Sequence, residues 1–303
     1  MAPALATAEI IDFGALKFLR HHRQGRYPYC HSLLVLGPEL TLIDPSADKV
    51  RFQSLAAAGA VARIFLSHYH EDHRKYLHWF PQAQVWVPQA EVAVFRSLEQ
   101  LQNCMGLEEG LYRQYFQEVI VPKFRLHPLS APQGFSEGEE FRLRGVRLVI
   151  WHTPGHTPGH SCFYFPDQDI IYLADLDLTP FGPWYGDAAS DLEALWQSLA
   201  RLETCPAKTY LTAHGPGIFT AAQFQEALRR YRQVILQREA ALLSHLARPV
   251  TLEDLVASRL IYRPDLKPVF VYDHMERQMI RHHLNWLAKR GLIQSREDGY
   301  VAA

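Results

Sequence analysis

Apolar positions along this chain come in two rhythms. Short runs rich in Leu, Val and Ile at 32–37, 40–44, 62–68 and 84–88, each bounded by Gly, Pro, Asp or His, predict strands. Between them, 48–58 reads as a helix, and 89–124 mixes apolar and polar residues in a way that suits two helices. The strand rhythm returns at 147–152, 161–165, 170–175 and 208–213, with amphipathic helices at 191–203 and 223–245. Strands and helices thus interleave twice, which favours sheets covered by helices over an all-α or all-β architecture.

After about residue 246 the character changes, with Arg248-Pro249 as punctuation. Thr251 offers an N-cap hydroxyl with Asp254 at the third helical position. The main helix here is expected to start at Asp273, whose carboxylate would cap the amide of Glu276. It would run through Met279, Ile280, Leu284 and Leu287 and stop at Gly291. Asp298-Gly299, within 292–301, is a hairpin turn signal. Helix, helix and hairpin resemble a winged helix, a module that often docks on nucleic acid. From 248 onward, however, nine Lys and Arg face seven Asp and Glu, too small a surplus to bind phosphates by itself. The expected division is a catalytic domain at 1–246, with a helical insert at about 89–124, and a winged-helix-like unit at 247–303. Packing or homodimer formation is the expected use of that unit.

Composition narrows the class further. At 303 residues, with 48% hydrophobic and 21% charged residues, the chain has length and apolar content for a large core. The net charge of −1 carries no global signature of a nucleic-acid binder. Cys30, Cys104, Cys162 and Cys205 form no C-x-x-C pair, so they read as buried free thiols. Residues 1–11 lack a basic start and a sustained apolar run, and no later stretch approaches the roughly 18 apolar residues of a membrane span. A soluble cytoplasmic protein with no membrane partner is expected.

The chemistry concentrates in Ser67-His68-Tyr69-His70-Glu71-Asp72-His73, where a strand ends and releases three histidines and an aspartate within six positions. Histidines two apart at a strand end can face the same way, so His68 and His70 can reach one ion, while Asp72 and His73 on the following turn reach another. In Thr153-Pro154-Gly155-His156-Thr157-Pro158-Gly159-His160, paired Pro-Gly turns project histidines from irregular backbone. Strand 170–174 ends at Asp175, a carboxylate whose second oxygen could bridge ions, and Tyr210-Leu211-Thr212-Ala213-His214-Gly215 repeats the layout of apolar strand, histidine and glycine.

These segments together resemble the metallo-β-lactamase superfamily. Its ordered signature is an Asp after an early strand, H-x-H-x-D-H, a later His, a bridging Asp and a last His. Asp44, His68, His70, Asp72, His73, His156, Asp175 and His214 match it in order, and the likeness covers roughly residues 10–220. It implies an α/β (α+β) four-layered αββα sandwich with the site at one edge. It also implies two divalent metal ions per chain, zinc foremost with iron or manganese as alternatives: His68, His70 and His156 on one, Asp72, His73 and His214 on the other, and Asp175 between them. Asp72 would also accept a hydrogen bond from the nucleophile, and Asp44 would orient a ligand histidine or its loop. His160 would fix its loop, and His21, His22, His127 and His152 have no motif.

Departures from the pattern refine the expected activity. Antibiotic-hydrolysing β-lactamases of this fold lack the bridging aspartate, whereas thioesterases of the glyoxalase II kind and the phosphodiesterases have it. Flavodiiron proteins carry Glu where His70 stands and add a flavodoxin domain. Many relatives follow the motif with paired glycines, but Arg74-Lys75 follows here. The leading expectation is a metal-dependent hydrolase using a metal-bridging hydroxide on a small ester, thioester or lactone. The first alternative is a phosphodiesterase or endoribonuclease akin to the mitochondrial endoribonuclease group, with a nucleic-acid partner. The second is a mononuclear iron enzyme that handles sulfur, and a non-catalytic binding module would leave a full ligand set idle. Residues 181–186, Phe-Gly-Pro-Trp-Tyr-Gly, and the insert could line a pocket or pack between layers.

Overall fold

The computed structural model describes residues 7–37, 39–143 and 145–303, so the reading of the first six residues lies outside them. Two sheets carry the fold. The first has seven strands in chain order: β1 (Glu9–Phe13), β2 (Leu16–Arg20), β3 (Ser32–Val35), β4 (Leu40–Ile43), β5 (Val61–Phe65), β6 (Gln84–Pro88) and β7 (Gln133–Phe135). Neighbours are antiparallel as far as β4 and parallel beyond it. The second sheet holds β8 (Glu140–Leu143), β9 (Val146–His152), β10 (Ser161–Phe165), β11 (Ile170–Tyr172), β12 (Thr209–Leu211) and β13 (Ile218–Thr220), arranged from β13 back to β8. Only β11 and β12 run parallel there.

Parallel neighbours need crossovers, and helices supply several of them. Helix α1 (Lys49–Ala57) joins β4 to β5, and the insert joins β6 to β7 with α2 (Val92–Phe95), α3 (Leu98–Met105), α4 (Leu111–Tyr115) and α5 (Val121–Phe124). A π-helical turn over Phe116–Ile120 fuses α4 to α5, so the insert forms three helical stretches, interrupted at 96–97 and 106–110, where two helices were expected. Helix α6 (Leu192–Leu202) joins β11 to β12, and α7 (Ala221–His245) follows β13. Asp48, Asp191 and Thr220 cap α1, α6 and α7 by accepting amide hydrogens at the third helical position.

Alternate strand positions serve different layers. Leu16, Phe18, Leu33, Ile43 and Phe65 meet Val146, Leu148, Ile150, Phe163 and Tyr172 between the sheets. Leu19, Leu34, Leu42 and Ile64 share a core with Phe52 of α1 and Phe95, Leu101 and Phe116 of the insert. On the second sheet, Cys162, Ile171 and Tyr210 meet Leu195 and Leu199 of α6 and Phe224 and Leu228 of α7. Helix, sheet, sheet, helix is the four-layered sandwich expected. Apolar cover on both sides explains why β3 and β10 read as nearly continuous hydrophobic runs.

Beyond α7 come α8 (Leu252–Ala257), α9 (Val269–Lys289) and an antiparallel hairpin of β14 (Ile293–Arg296) and β15 (Gly299–Ala302). Thr251 caps α8 through the Asp254 amide at 3.1 Å. Helix α9 begins four residues before the expected start. Pro268, with φ of −75°, stands at its cap, and a proline there is pre-set for helix entry. Asp273 therefore lies inside the helix and pairs with Arg259 instead of capping. The Glu276 carboxylate accepts the amides of Ile261 and Tyr262 at 3.0 and 2.8 Å. Gly291, with φ of +68°, follows the helix as expected.

The last helices pack on the rest of the chain. Leu242 and Leu246, at the end of α7, share a core with Ile280, Leu284 and Leu287 of α9. His274 of α9 donates to the Met105 carbonyl of the insert at 2.8 Å, and Trp286 meets Trp196 of α6. Among the described residues no helix is long and apolar enough to cross a membrane. Cys30, Cys162 and Cys205 are buried free thiols, and Cys104 is half-buried.

Candidate metal centre

The candidate residues follow the ends of strands or occupy the loops just beyond them. Asp44 follows β4, residues 67–73 follow β5, His156 lies between β9 and β10, Asp175 comes after β11 and His214 after β12. Asp44 and Ala174 both have φ of +48°, a left-handed conformation that costs a side-chain-bearing residue about 1–3 kcal/mol. Hydrogen bonds hold the first of these. Asp44 Oδ1 accepts the Ser67 amide at 2.8 Å, and Oδ2 accepts the Ser67 hydroxyl at 2.7 Å, His73 Nδ1–H at 2.8 Å and the Tyr172 hydroxyl at 3.1 Å.

Three imidazole nitrogens converge on one point. His70 Nδ1 lies 2.9 Å from His68 Nε2 and 3.0 Å from His156 Nε2, and the last two are 3.3 Å apart. The outer nitrogens fix the tautomers. His68 Nδ1 faces the Ser67 hydroxyl at 3.0 Å, which has already given its proton to Asp44. His70 Nε2 faces Asp187 Oδ2 at 2.8 Å, and His156 Nδ1 faces the Trp184 carbonyl at 2.9 Å. In the neutral rings each outer nitrogen carries the proton, so each inner nitrogen presents a lone pair. Three lone pairs aimed at one another repel unless a proton or a metal cation lies among them.

A second set lies beside the first. His73 and His214 turn their Nε2 atoms toward Asp175 Oδ1, at 2.7 and 3.1 Å, and Asp72 Oδ2 lies 3.6 Å from His214 Nε2. Asp175 Oδ2 faces the first set, 3.3 Å from His156 Nε2 and 3.7 Å from His68 Nε2. His73 Nε2 and Asp175 Oδ1 are buried and, despite their separation, are not aligned for a hydrogen bond with each other or with any other group. His68, His70, His156 and Asp175 form one group whose ligand atoms could hold a metal ion, and Asp72, His73 and His214 form another. The donor set of imidazole and carboxylate fits a divalent transition metal.

Electrostatics match this arrangement. Burial, with His73 alongside, pushes His68 well below the ordinary histidine range. Burial also disfavours charge on His70 and His214, but Asp187 outweighs it for the first and Asp175 for the second, raising both to about 9. Burial would raise Asp175 too, yet the surrounding histidines hold it well below the usual carboxylate range.

All the sequence-identified residues except Asp44 meet at the centre. Asp44 is fully buried behind His73 and touches no open space, so it positions that histidine and the Ser67 backbone instead of contacting a substrate. His160 fixes its loop: Nδ1 sits 2.9 Å from the Thr153 hydroxyl, and Nε2 accepts the Asp175 amide at 3.2 Å. Gly25 has φ of +59°, and a Cβ there would strike the Ala213 carbonyl oxygen; its own carbonyl receives His214 Nδ1–H. Where relatives carry paired glycines, the buried Arg74 lies over Phe95, and the Lys75 ammonium sits between the rings of Tyr29 and Phe124.

A family model described as metallo-beta-lactamase superfamily matches residues 39–214, more than half of the chain. The chain belongs to the metallo-β-lactamase superfamily. Within that superfamily it is 25% identical over 225 residues to an atrochrysone carboxyl ACP thioesterase of Aspergillus fumigatus, covering 70% of this chain and 59% of that protein. It is 30% identical over 141 residues to a hydroxyacylglutathione hydrolase of Methylococcus capsulatus, covering 44% and 51%. The chain thus spans between half and three-fifths of the length of these curated relatives. In fold it is similar to a metallo-beta-lactamase family protein of Thermus thermophilus, with a TM-score of 0.75 and 22% identity over 95% of this chain and 99% of that one.

A cavity of about 880 Å³ opens onto the centre. Tyr112 and Phe116 of the insert, Trp184 of the 181–186 loop, and Tyr262, Val271 and Met275 of the C-terminal segment line its walls. The aromatic loop divides its labour. Trp184 faces the cavity, while Tyr185 is fully buried and bonds to His283 at 2.8 Å. Asp187, Glu91, Arg238 and His282 carry no motif. They sit far along the chain from what they touch, and spacing gives no signal for them.

Proposed function

We propose that the protein is a dinuclear metal-dependent hydrolase of small esters, thioesters or lactones, with apolar acyl thioesters foremost. The observation that carries this reading is Asp175, whose two carboxylate oxygens face two separate ligand sets. His68, His70 and His156 would hold one ion with Oδ2, and Asp72, His73 and His214 the other with Oδ1. Zinc suits these donors best, and iron or manganese suits them as well. When bound, such a pair supplies a hydroxide-strength nucleophile near neutral pH and polarises the carbonyl under attack.

The chain's own groups supply the rest. Asp72 lies at the floor of the cavity, where its carboxylate can accept a hydrogen bond from the attacking water and fix its direction. The Tyr27 hydroxyl donates to Glu71 Oε1 at 2.9 Å, and both residues line the cavity. Aromatic and aliphatic walls favour an acyl chain or ring over a charged phosphodiester. One relative is named a thioesterase and another a hydrolase of hydroxyacylglutathione, which supports the same class. The segment 247–303, set off as a unit of its own, serves in this reading as a cavity wall in place of a nucleic-acid docking module.

Metal content by elemental analysis, paired with turnover of a medium-chain acyl thioester, S-lactoylglutathione, a lactone, bis-p-nitrophenyl phosphate and single-stranded RNA, tests the proposal. Two metals per chain with thioester or ester turnover is the expected result. A single iron without hydrolysis, or cleavage confined to phosphodiesters, overturns it. Asp175→Ala should lower metal content below two per chain and reduce kcat/KM by more than about 100-fold. Unchanged content and activity would refute the bridging role.

A further inference from the structure

Helix α9 holds the backbone of a residue whose carboxylate touches the metal centre. Asp187, only 2% exposed, lies in the loop before α6, and its Oδ2 accepts two hydrogen bonds: His70 Nε2–H at 2.8 Å and the Tyr69 hydroxyl at 2.7 Å. Its backbone carbonyl accepts Nε2–H of His282 on α9 at 2.8 Å. Its amide faces the Ser190 hydroxyl at 3.3 Å, and that hydroxyl donates to the His156 carbonyl at 2.7 Å. The loop is tied down on both flanks. The Arg238 guanidinium of α7, itself buried, donates to the Pro183 carbonyl at 2.6 Å, and the Ala189 amide donates to the Cys104 carbonyl of the insert at 2.8 Å.

We infer that Asp187 is a positioning residue for His70 and that His282 of α9 sets where Asp187 stands, an inference that rests on the metal-centre reading above. Only an acceptor beyond Nε2 keeps the His70 proton on that nitrogen and leaves the Nδ1 lone pair facing His68 and His156. A carboxylate does this better than a neutral acceptor, because its charge also makes Nδ1 a stronger donor to a cation. Tyr69 shares the same oxygen and lies between the two ligand histidines in the chain, so the carboxylate fixes both ring and backbone. His73 and His214 have other outer partners, Asp44 and the Gly25 carbonyl. The effect of Asp187 is therefore confined to the His68, His70 and His156 set.

The test is a zinc titration of the metal-stripped, full-length protein against a chromophoric chelator, resolving two binding steps for wild type, Asp187→Ala, Asp187→Asn and His282→Phe. Asp187→Ala is expected to weaken one step by about 10–100-fold and leave the other within about threefold. Asp187→Asn, which keeps an acceptor oxygen without charge, and His282→Phe, which keeps the ring but loses the donor, should shift the same step by less. Thermal unfolding of the metal-stripped variants separates positioning from folding: unchanged midpoints with one weakened step support the inference. Two unaffected steps in Asp187→Ala overturn it, as do two steps weakened alike with a lowered midpoint. A wild type that binds no zinc would instead bring down the metal-centre reading itself, a result distinguishable from failure of Asp187 alone.

Discussion

His70 and His214 each meet a carboxylate, and these counter-charges make protons compete with cations for the same nitrogens. Both are raised to about 9, and His73, despite its burial, is held well above the ordinary range by Asp175 and Asp44 among its neighbours. Below that pH the metal-stripped centre carries extra protons, which must leave as ligands bind, so affinity rises with pH up to about 9. Calorimetric zinc titrations at about pH 7.5 in two buffers of different ionisation enthalpy should give different apparent enthalpies, reporting proton release. Identical enthalpies would show that the ligands are already neutral. At this scale the H-x-H-x-D-H segment was legible because its neighbours in space are neighbours in sequence. Asp187 was not, since it lies 117 positions from the histidine it serves.

Among the elements, the loop between β9 and β10 depends on a clamp from the start of the insert. Glu91, fully buried, accepts the Thr157 hydroxyl and the Gly159 amide, the latter at 2.8 Å, both on Oε1. Gly155 in the same loop has φ of +125°, and a Cβ there would collide with Leu195 of α6. Glu91→Ala would strand two buried donors at about 1–3 kcal/mol each, so the thermal midpoint should fall by several degrees. An unchanged midpoint would show that water replaces the carboxylate. The strands on either side were legible from their apolar runs, because each is covered by a layer on both faces. The hairpin of β1 and β2 was not: Asp12 and Lys17 pair across an exposed edge, so its residues carry charge where an inner strand would be apolar. Residues 133–143 and 218–220 were missed for a related reason, being strands too short to show a period.

For the whole molecule, the cavity walls come from remote stretches, residues 24–27, the insert, the 181–186 loop and the C-terminal segment. Met275→Trp should fill part of it, raising KM for a long acyl substrate more than for a short one while metal content stays the same. Equal effects on both would place the acyl group elsewhere. Sheets covered by helices could be read from the rhythm of the chain because each half of the fold is contiguous in sequence, and the four-layered sandwich followed from the family resemblance. The cavity could not, because helix rhythm in 247–303 says nothing of which surface those helices meet. That same order along the chain bears on how the protein is made. Synthesis proceeds from the N-terminus at about 5–20 residues per second. The last of the centre's side chains, His214, therefore emerges before α9, which brings His282 and much of the cavity wall. A nascent chain therefore has its full set of donors several seconds before the segment that supplies Val271, Met275 and His282 has emerged.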